Sequence, residues 1–167
     1  MFLISVIVIY LLETLIFFVL GKDMKYNFNE SIGFIIVKAG RLIENKMRYN
    51  FEKEGIKITP QQWSVLTYLW NEDGISQQNL ADAFSKDKTS MTRLLNNMEK
   101  NELISRKQDE DDKRNKKIYL TFKSRLLKKD SIKVAEKTLI ETLIGIDNKD
   151  LKLGKKVLKQ INKNLEN

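Results

Sequence analysis

SQQNLADAFSKDKTSMTRLLNNMEKNELISRKQDEDDKRNKKIYLT, residues Ser76 to Thr121, decides the fold. Ser76 is placed to cap a short helix whose Leu80, Ala81 and Phe84 face inward, and the small Ala81 allows a close helix crossing. Ser85 to Asp87 form a turn, and Asp87 then caps a second helix with Ser90 at its third position. Met91, Leu94, Leu95 and Met98 form that helix's buried stripe. Lys86, Lys88, Thr89, Ser90, Thr92, Arg93, Asn96 and Asn97 fall on the opposite side or near its N-terminal end, and no acid follows until Glu99. An ordinary solvated face would mix glutamates among its lysines. This one is rich in groups that suit duplex DNA: Arg grips guanine O6 and N7, Asn pairs with adenine, and Ser and Thr reach phosphates or thymine methyls.

After this helix, one strand centres on Ile104 and Arg106. A second runs from Lys116 to Thr121 with Ile118 and Leu120 on its buried face. The charged loop between them is a hairpin tip. Its basic end, Lys113, Arg114 and Lys116, can reach a flanking minor groove, where narrow A·T tracts attract arginine, and Arg106 is grouped with these contacts. Phosphate would repel Asp109 and Asp112, so both are expected to hold Arg106 or Arg114 in place. The pattern predicts a mainly α fold, a helix-turn-helix with a small β-wing.

Upstream, Thr59-Pro60-Gln61-Gln62 is a helix start on three counts: Thr at the cap, Pro at the first helical position and Gln three residues after the cap. The helix runs to Trp70. Trp63, Leu66, Leu69 and Trp70 supply faces expected to pack into the core. Asn71 to Gly74 read as a turn, and Ile75 as a short strand beside the wing. Between Asn29, a candidate cap, and Phe51, apolar residues from Ile32 to Met47 recur at helical spacing, and Gly55 ends the segment. Downstream, a helix is expected from Phe122 to about Ile144, followed by another that starts at Asp147 and carries Leu151, Val157, Leu158, Ile161 and Leu165. These three flanking stripes, at 29–51 and within 122–165, need partners to bury them and are expected to be dimerisation helices, the alternative being a helical cap folded back on its own monomer.

Composition removes other classes. The 167 residues contain no cysteine and no histidine, which excludes disulfides and thiol redox chemistry and withdraws the usual zinc ligands and the commonest general base. No nucleophile–base constellation and no phosphate-cradling glycine loop is present, so neither an enzyme nor a cofactor is expected. Thirty Lys and Arg against 22 Asp and Glu give a net charge of +8, which attracts polyanions. Residues Phe2 to Leu20 are almost continuously apolar and would span roughly 28 Å as a helix. Residues 1–23 therefore carry two readings. In the first they are an inner-membrane tether, with Lys22 and Lys25 keeping the rest of the chain, 24–167, in the cytoplasm. That tether would make the protein a membrane-bound winged-helix regulator or interaction protein. In the second, synthesis begins at Met24, and the protein is cytoplasmic throughout. Glu13 weighs against the tether by about 2.5–3.5 kcal/mol.

The motif of Thr59 to Trp63 with Leu66, Leu80-Ala81, Thr89 to Leu95, and Leu103-Ile104 continues through Arg106, Asp109, Asp112-Lys113-Arg114 and Leu120-Thr121. In order and spacing it resembles the MarR family of winged-helix transcriptional regulators. With the flanking helices the resemblance covers about Asn29 to Leu165. It implies a homodimeric repressor on a pseudo-palindromic operator in double-stranded DNA, with the Thr89–Asn97 face in the major groove and Arg114 in the minor groove. It also implies release by a small aromatic effector held between the dimer helices and the reading unit. Trp63, Tyr68 and Trp70 are candidates to line that pocket, although each is expected in the core. Two positions depart from the family's pattern, Glu102 and Ser124 standing where glycine is usual. A left-handed Glu102 would cost about 1–2 kcal/mol, so the helix is expected to end on Asn101 instead.

Overall fold

The computed structural model describes residues 27–109 and 116–166. The readings of residues 1–23 and of Asp112, Lys113 and Arg114 lie outside the described residues. The chain divides after Leu42 into two compact units.

In the first unit Asn27 caps a 3-10 turn, Phe28–Glu30, by accepting the Asn29 amide at 3.2 Å. Helix α1, Ile32–Lys53, begins only after it. The expected cap at Asn29 is therefore displaced: Asn29 sits inside the turn, and the Ser31 hydroxyl accepts the Phe34 amide at 3.3 Å. Ile32, Ile35, Val37 and Leu42 of this unit are exposed.

In the second unit α1 ends as Gly55 predicts. At φ +70° Gly55 donates to Glu52 O, and Ile56 donates back to Phe51 O at 2.9 Å, which brings Ile56 and Phe51 together in the core. Helix α2, Pro60–Asn71, opens with the expected capping box: the Gln62 amide donates to Thr59 Oγ1 at 3.2 Å and the Thr59 amide to Gln62 Oε1 at 2.8 Å. Gly74, at φ +78°, turns the chain so closely under the wing that a Cβ there would lie 2.8 Å from the Tyr119 ring. Strand β1, Ile75–Ser76, leads into α3, Gln77–Ala83, and α4, Lys88–Lys100. Strands β2, Ile104–Gln108, and β3, Lys116–Leu120, complete an antiparallel sheet of order β1-β3-β2, with Ile75 opposite Ile118 and Ile104 opposite Leu120. Leu66, Leu69, Leu80, Met91, Leu95, Met98, Leu103 and Ile118 form the core beneath the sheet and α2–α4.

Two corners turn without glycine. Ser85 (φ 46°) ends α3 and Glu102 (φ 57°) ends α4, each with the following amide bonded back to the helix, Lys86 to Ala81 O and Leu103 to Met98 O, both at 2.9 Å. The α4 end therefore does not shift onto Asn101. The left-handed strain is outweighed because this corner delivers Leu103 and Ile104 into the core and lets Thr121 Oγ1 donate to Glu102 O at 2.7 Å. Ser124, the second departure from glycine, is fully buried; its Oγ donates to Thr121 O and its carbonyl accepts the Trp70 indole.

Asp73 fastens this base. Its Oδ1 accepts the amides of Gly74 and Leu120, and its Oδ2 pairs with Arg125.

The expected helix from Phe122 is broken at Leu127, whose side chain packs on the core: α5 covers Phe122–Leu126 and α6 Lys128–Thr142. Val134, Ser131 and Thr138 of α6 are buried, whereas Leu126 and Leu139 lie exposed. Asn50 joins the end of α1 to α6, donating to Thr138 Oγ1 at 3.0 Å and to Glu141 Oε2 at 2.9 Å. The bond from Asn50, with Lys46 Nζ 3.2 Å from the same Oε2, holds the Glu141 carboxyl below its usual pKa. Helix α7, Asn148–Leu165, starts at Asp147 as expected and buries none of its residues.

Candidate nucleic-acid interface

Helix α4 begins where the Asp87 carboxylate accepts the Ser90 amide at 2.8 Å. The Ser90 hydroxyl and amide together hold the Asp87 carboxyl below the usual carboxylate range. Met91, Leu95 and Met98 anchor one side, and Leu94 is half-buried beside them.

The polar residues of α4 separate into two groups that look alike in sequence. Lys88, Thr89, Arg93 and Asn96 are exposed with side chains free of partners among the described residues, and Thr89, Arg93 and Asn96 share one helical row. Ser90, Thr92 and Asn97 are engaged. Ser90 gives its hydroxyl to the Asp87 cap. Thr92 donates to Lys88 O and accepts from Gln77 Nε2, both at 2.7 Å, which locks α3 against α4. Asn97 Oδ1 accepts from Gln62 Nε2 at 2.7 Å and from Asn101 Nδ2 at 3.1 Å. Lys86, half-buried in the turn, joins Gln61, Arg93 and Asn97 along a groove between α4 and the first turn of α2. No carboxylate lines that groove.

The wing differs from expectation at Arg106. Its guanidinium is not an outward contact: the side chain is 13% exposed, with Nη1 on Glu99 Oε2 at 2.7 Å. The cause is register, since Arg106 stands opposite Ile118, a core residue of β3, and so points to the sheet face that packs under α4. Asp109 pairs with Lys117 at 3.1 Å, and one of its expected partners, Arg114, lies outside the described residues. Lys116 is exposed at the start of β3, opposite Gln108. Lys107 lies over the Tyr119 ring.

The aromatic residues considered for an effector pocket have three separate sets of neighbours. Trp63 packs against Phe51 at 6.4 Å, Tyr68 against Phe84 at 5.8 Å, and the Trp70 indole donates to Ser124 O at 3.3 Å. Trp63 and Trp70 are half-buried against the core; Tyr68 is exposed, because its position on α2 faces away from Leu66 and Leu69.

Sequence reasoning missed Gln77, Glu99 and the far end of Gln62. The capping motif announces Gln62 Oε1, but nothing local announces that Nε2 reaches a residue 35 positions on.

Residues 58–116 match the family model described as MarR family. That match runs from just ahead of α2 to the first residue of β3, and so covers the reading unit and most of the wing. The transcriptional regulator MgrA of Staphylococcus aureus is similar, 28% identical over 123 residues, which are 74% of this chain and 83% of MgrA. A MarR family regulator from Listeria monocytogenes, crystallised with 26mer DNA, is 26% identical with a TM-score of 0.70, over 81% of this chain and 89% of its own. The fold is also that of BpsR from Bordetella bronchiseptica, whose DNA binding is regulated by 6-hydroxynicotinic acid. BpsR has a TM-score of 0.74 at 20% identity, over 82% of this chain and 96% of its own. The MarR family match and the fold likeness agree with the expected winged helix and its small antiparallel sheet.

Proposed function

We infer that this chain is a MarR family regulator, a homodimeric repressor that binds a pseudo-palindromic operator, with α4 of each protomer in successive major grooves about 34 Å apart. The observation that carries the reading is the exposed row Thr89, Arg93 and Asn96 with Lys88, free of partners and of carboxylates, on a helix anchored from behind by Met91, Leu95 and Met98. Arg114, Lys113 and Lys116 belong to the wing's contact with the flanking minor groove, and Asp112 to its positioning. The exposed apolar residues of α7, Leu153, Val157, Leu158 and Leu165, and those of the first unit form the dimer interface. The protein acts in the cytoplasm and catalyses no reaction, readings supported by its likeness to transcriptional regulators.

A titration of the protein against duplex from its own promoter at low salt tests this. Tight binding that weakens steeply with salt is expected, and no binding to any operator-like duplex would end the reading. The family match extends it to release by a small aromatic effector. A phenolic carboxylate series that leaves both operator affinity and thermal stability unchanged would remove that extension.

A further inference from the structure

Asn96 and Asn97 are neighbours on α4, both exposed, and in composition they are equivalent adenine readers. Their amides are not equivalent. An asparagine reads adenine with both ends at once, Oδ1 accepting from N6 and Nδ2 donating to N7. Asn96 has both ends free among the described residues. Asn97 has lost one, and the direction of the loss is fixed by a chain of unambiguous donors. The Thr59 amide can only donate, so the Gln62 atom beside it, 2.8 Å away, is Oε1. The other end of this buried side chain is therefore Nε2, which can only donate, so the Asn97 atom at 2.7 Å is Oδ1. Asn101 Nδ2 occupies the same oxygen from the other side. What Asn97 presents outward is an amide donor, in a groove that also holds Lys86 and Arg93 and no carboxylate. A donor among cations matches a phosphate oxygen and cannot complete a bidentate contact with adenine.

We propose that the two residues divide the interface: Asn96 reads an A·T pair in each half-site, and Asn97, held as a donor by Gln62, grips a backbone phosphate. The division rests on the operator-binding reading above. It makes Gln62, a helix-capping residue remote in sequence from the reading helix, a positioning residue for DNA contact.

The experiment starts with duplexes selected by the wild-type protein from a randomised pool. If nothing is enriched, operator binding itself fails, whatever the two asparagines do. With an enriched duplex in hand, affinities are measured for it and for versions with each A·T pair exchanged for G·C. Asn96→Ala should erase a preference of roughly fivefold to a hundredfold at one symmetric A·T position and leave the others intact. Asn97→Ala should weaken binding to every duplex by the same factor, roughly tenfold or more, with all preferences kept. Gln62→Met should weaken all duplexes alike in the wild-type background and have no further effect on binding in the Asn97→Ala background, whatever it does to the melting temperature. Loss of a base preference in Asn97→Ala, or retention of every preference in Asn96→Ala, overturns the proposal. A Gln62→Met loss of equal size in both backgrounds removes Gln62 from it.

Discussion

Helices α4 and α7 have opposite relations to the rest of the chain. Helix α4 is amphipathic and finished: Met91, Leu95 and Met98 are fully buried, its N-terminus is capped by Asp87, and Gln62 and Gln77 hold its flanks. Helix α7 is just as amphipathic in sequence, with six lysines on one side, yet it buries nothing and leaves Leu153, Val157, Leu158 and Leu165 in the open. An apolar stripe on a helix is thus a statement about need, not about location. In α4 the chain meets the need itself, and in α7 the described residues leave it unmet, which is the place the proposed dimer gives to a second copy.

The sharpest way to break the comparison is to shorten one leucine in each. Leu95→Ala should destabilise the protein by about 2–5 kcal/mol, by an amount independent of protein concentration in denaturant titrations. Leu158→Ala should shift the midpoint by an amount that depends on protein concentration, because its partners lie on another chain; a concentration-independent effect would place α7 within its own protomer. Asn50 comes next, as the polar link that holds α6 against α1. Asn50→Ala leaves the Thr138 hydroxyl without its donor and should cost about 1–3 kcal/mol in the same titrations. Smaller, and of opposite sign, is Glu102→Gly, which should raise stability by about 1 kcal/mol by relieving the left-handed corner that ends α4, provided the exposed Lys123 pairing adds little. The smallest effect is that of pH on the α4 cap. Hydrogen bonding lowers the Asp87 pKa in the folded state, so the cap's contribution is fully present above the ordinary value of 3.8 and is lost as pH falls through the lowered one. Melting temperatures of wild type and Asp87→Ala should differ at neutral pH and converge in strong acid.

What was legible was whatever local chemistry decides. The Thr59 box, the Ser76 and Asp87 caps, Gly55 and the alternation through Ile118 and Leu120 each announce an element from a few adjacent residues. Long-range fit was not legible. Glu102 keeps a strained conformation because Leu103 and Thr121 reward it, and Ser31 replaces Asn29 because a 3-10 turn intervenes. In the site, the face of α4 was readable as a face, but not which of its side chains were already committed. Beyond bonds made along α4 itself, Thr92 and Asn97 are set apart from Thr89 and Asn96 by Gln77 and Gln62, which approach from other helices. Arg106 followed the same rule: an arginine beside a charged loop reads as a contact until strand register turns it under α4 toward Glu99.

The Asp73 carboxylate also bears on the order in which the molecule opens. It receives Leu120 from 47 residues downstream and Arg125 from 52, so two large loops close on a single side chain. Closing either alone sacrifices most of the chain entropy that closing both requires, because that loss grows only logarithmically with loop length. The rim of the wing and the root of the C-terminal helices therefore engage and release together. In hydrogen exchange the Leu120 amide should keep pace with the slowest core amides, well behind those of the neighbouring surface loops.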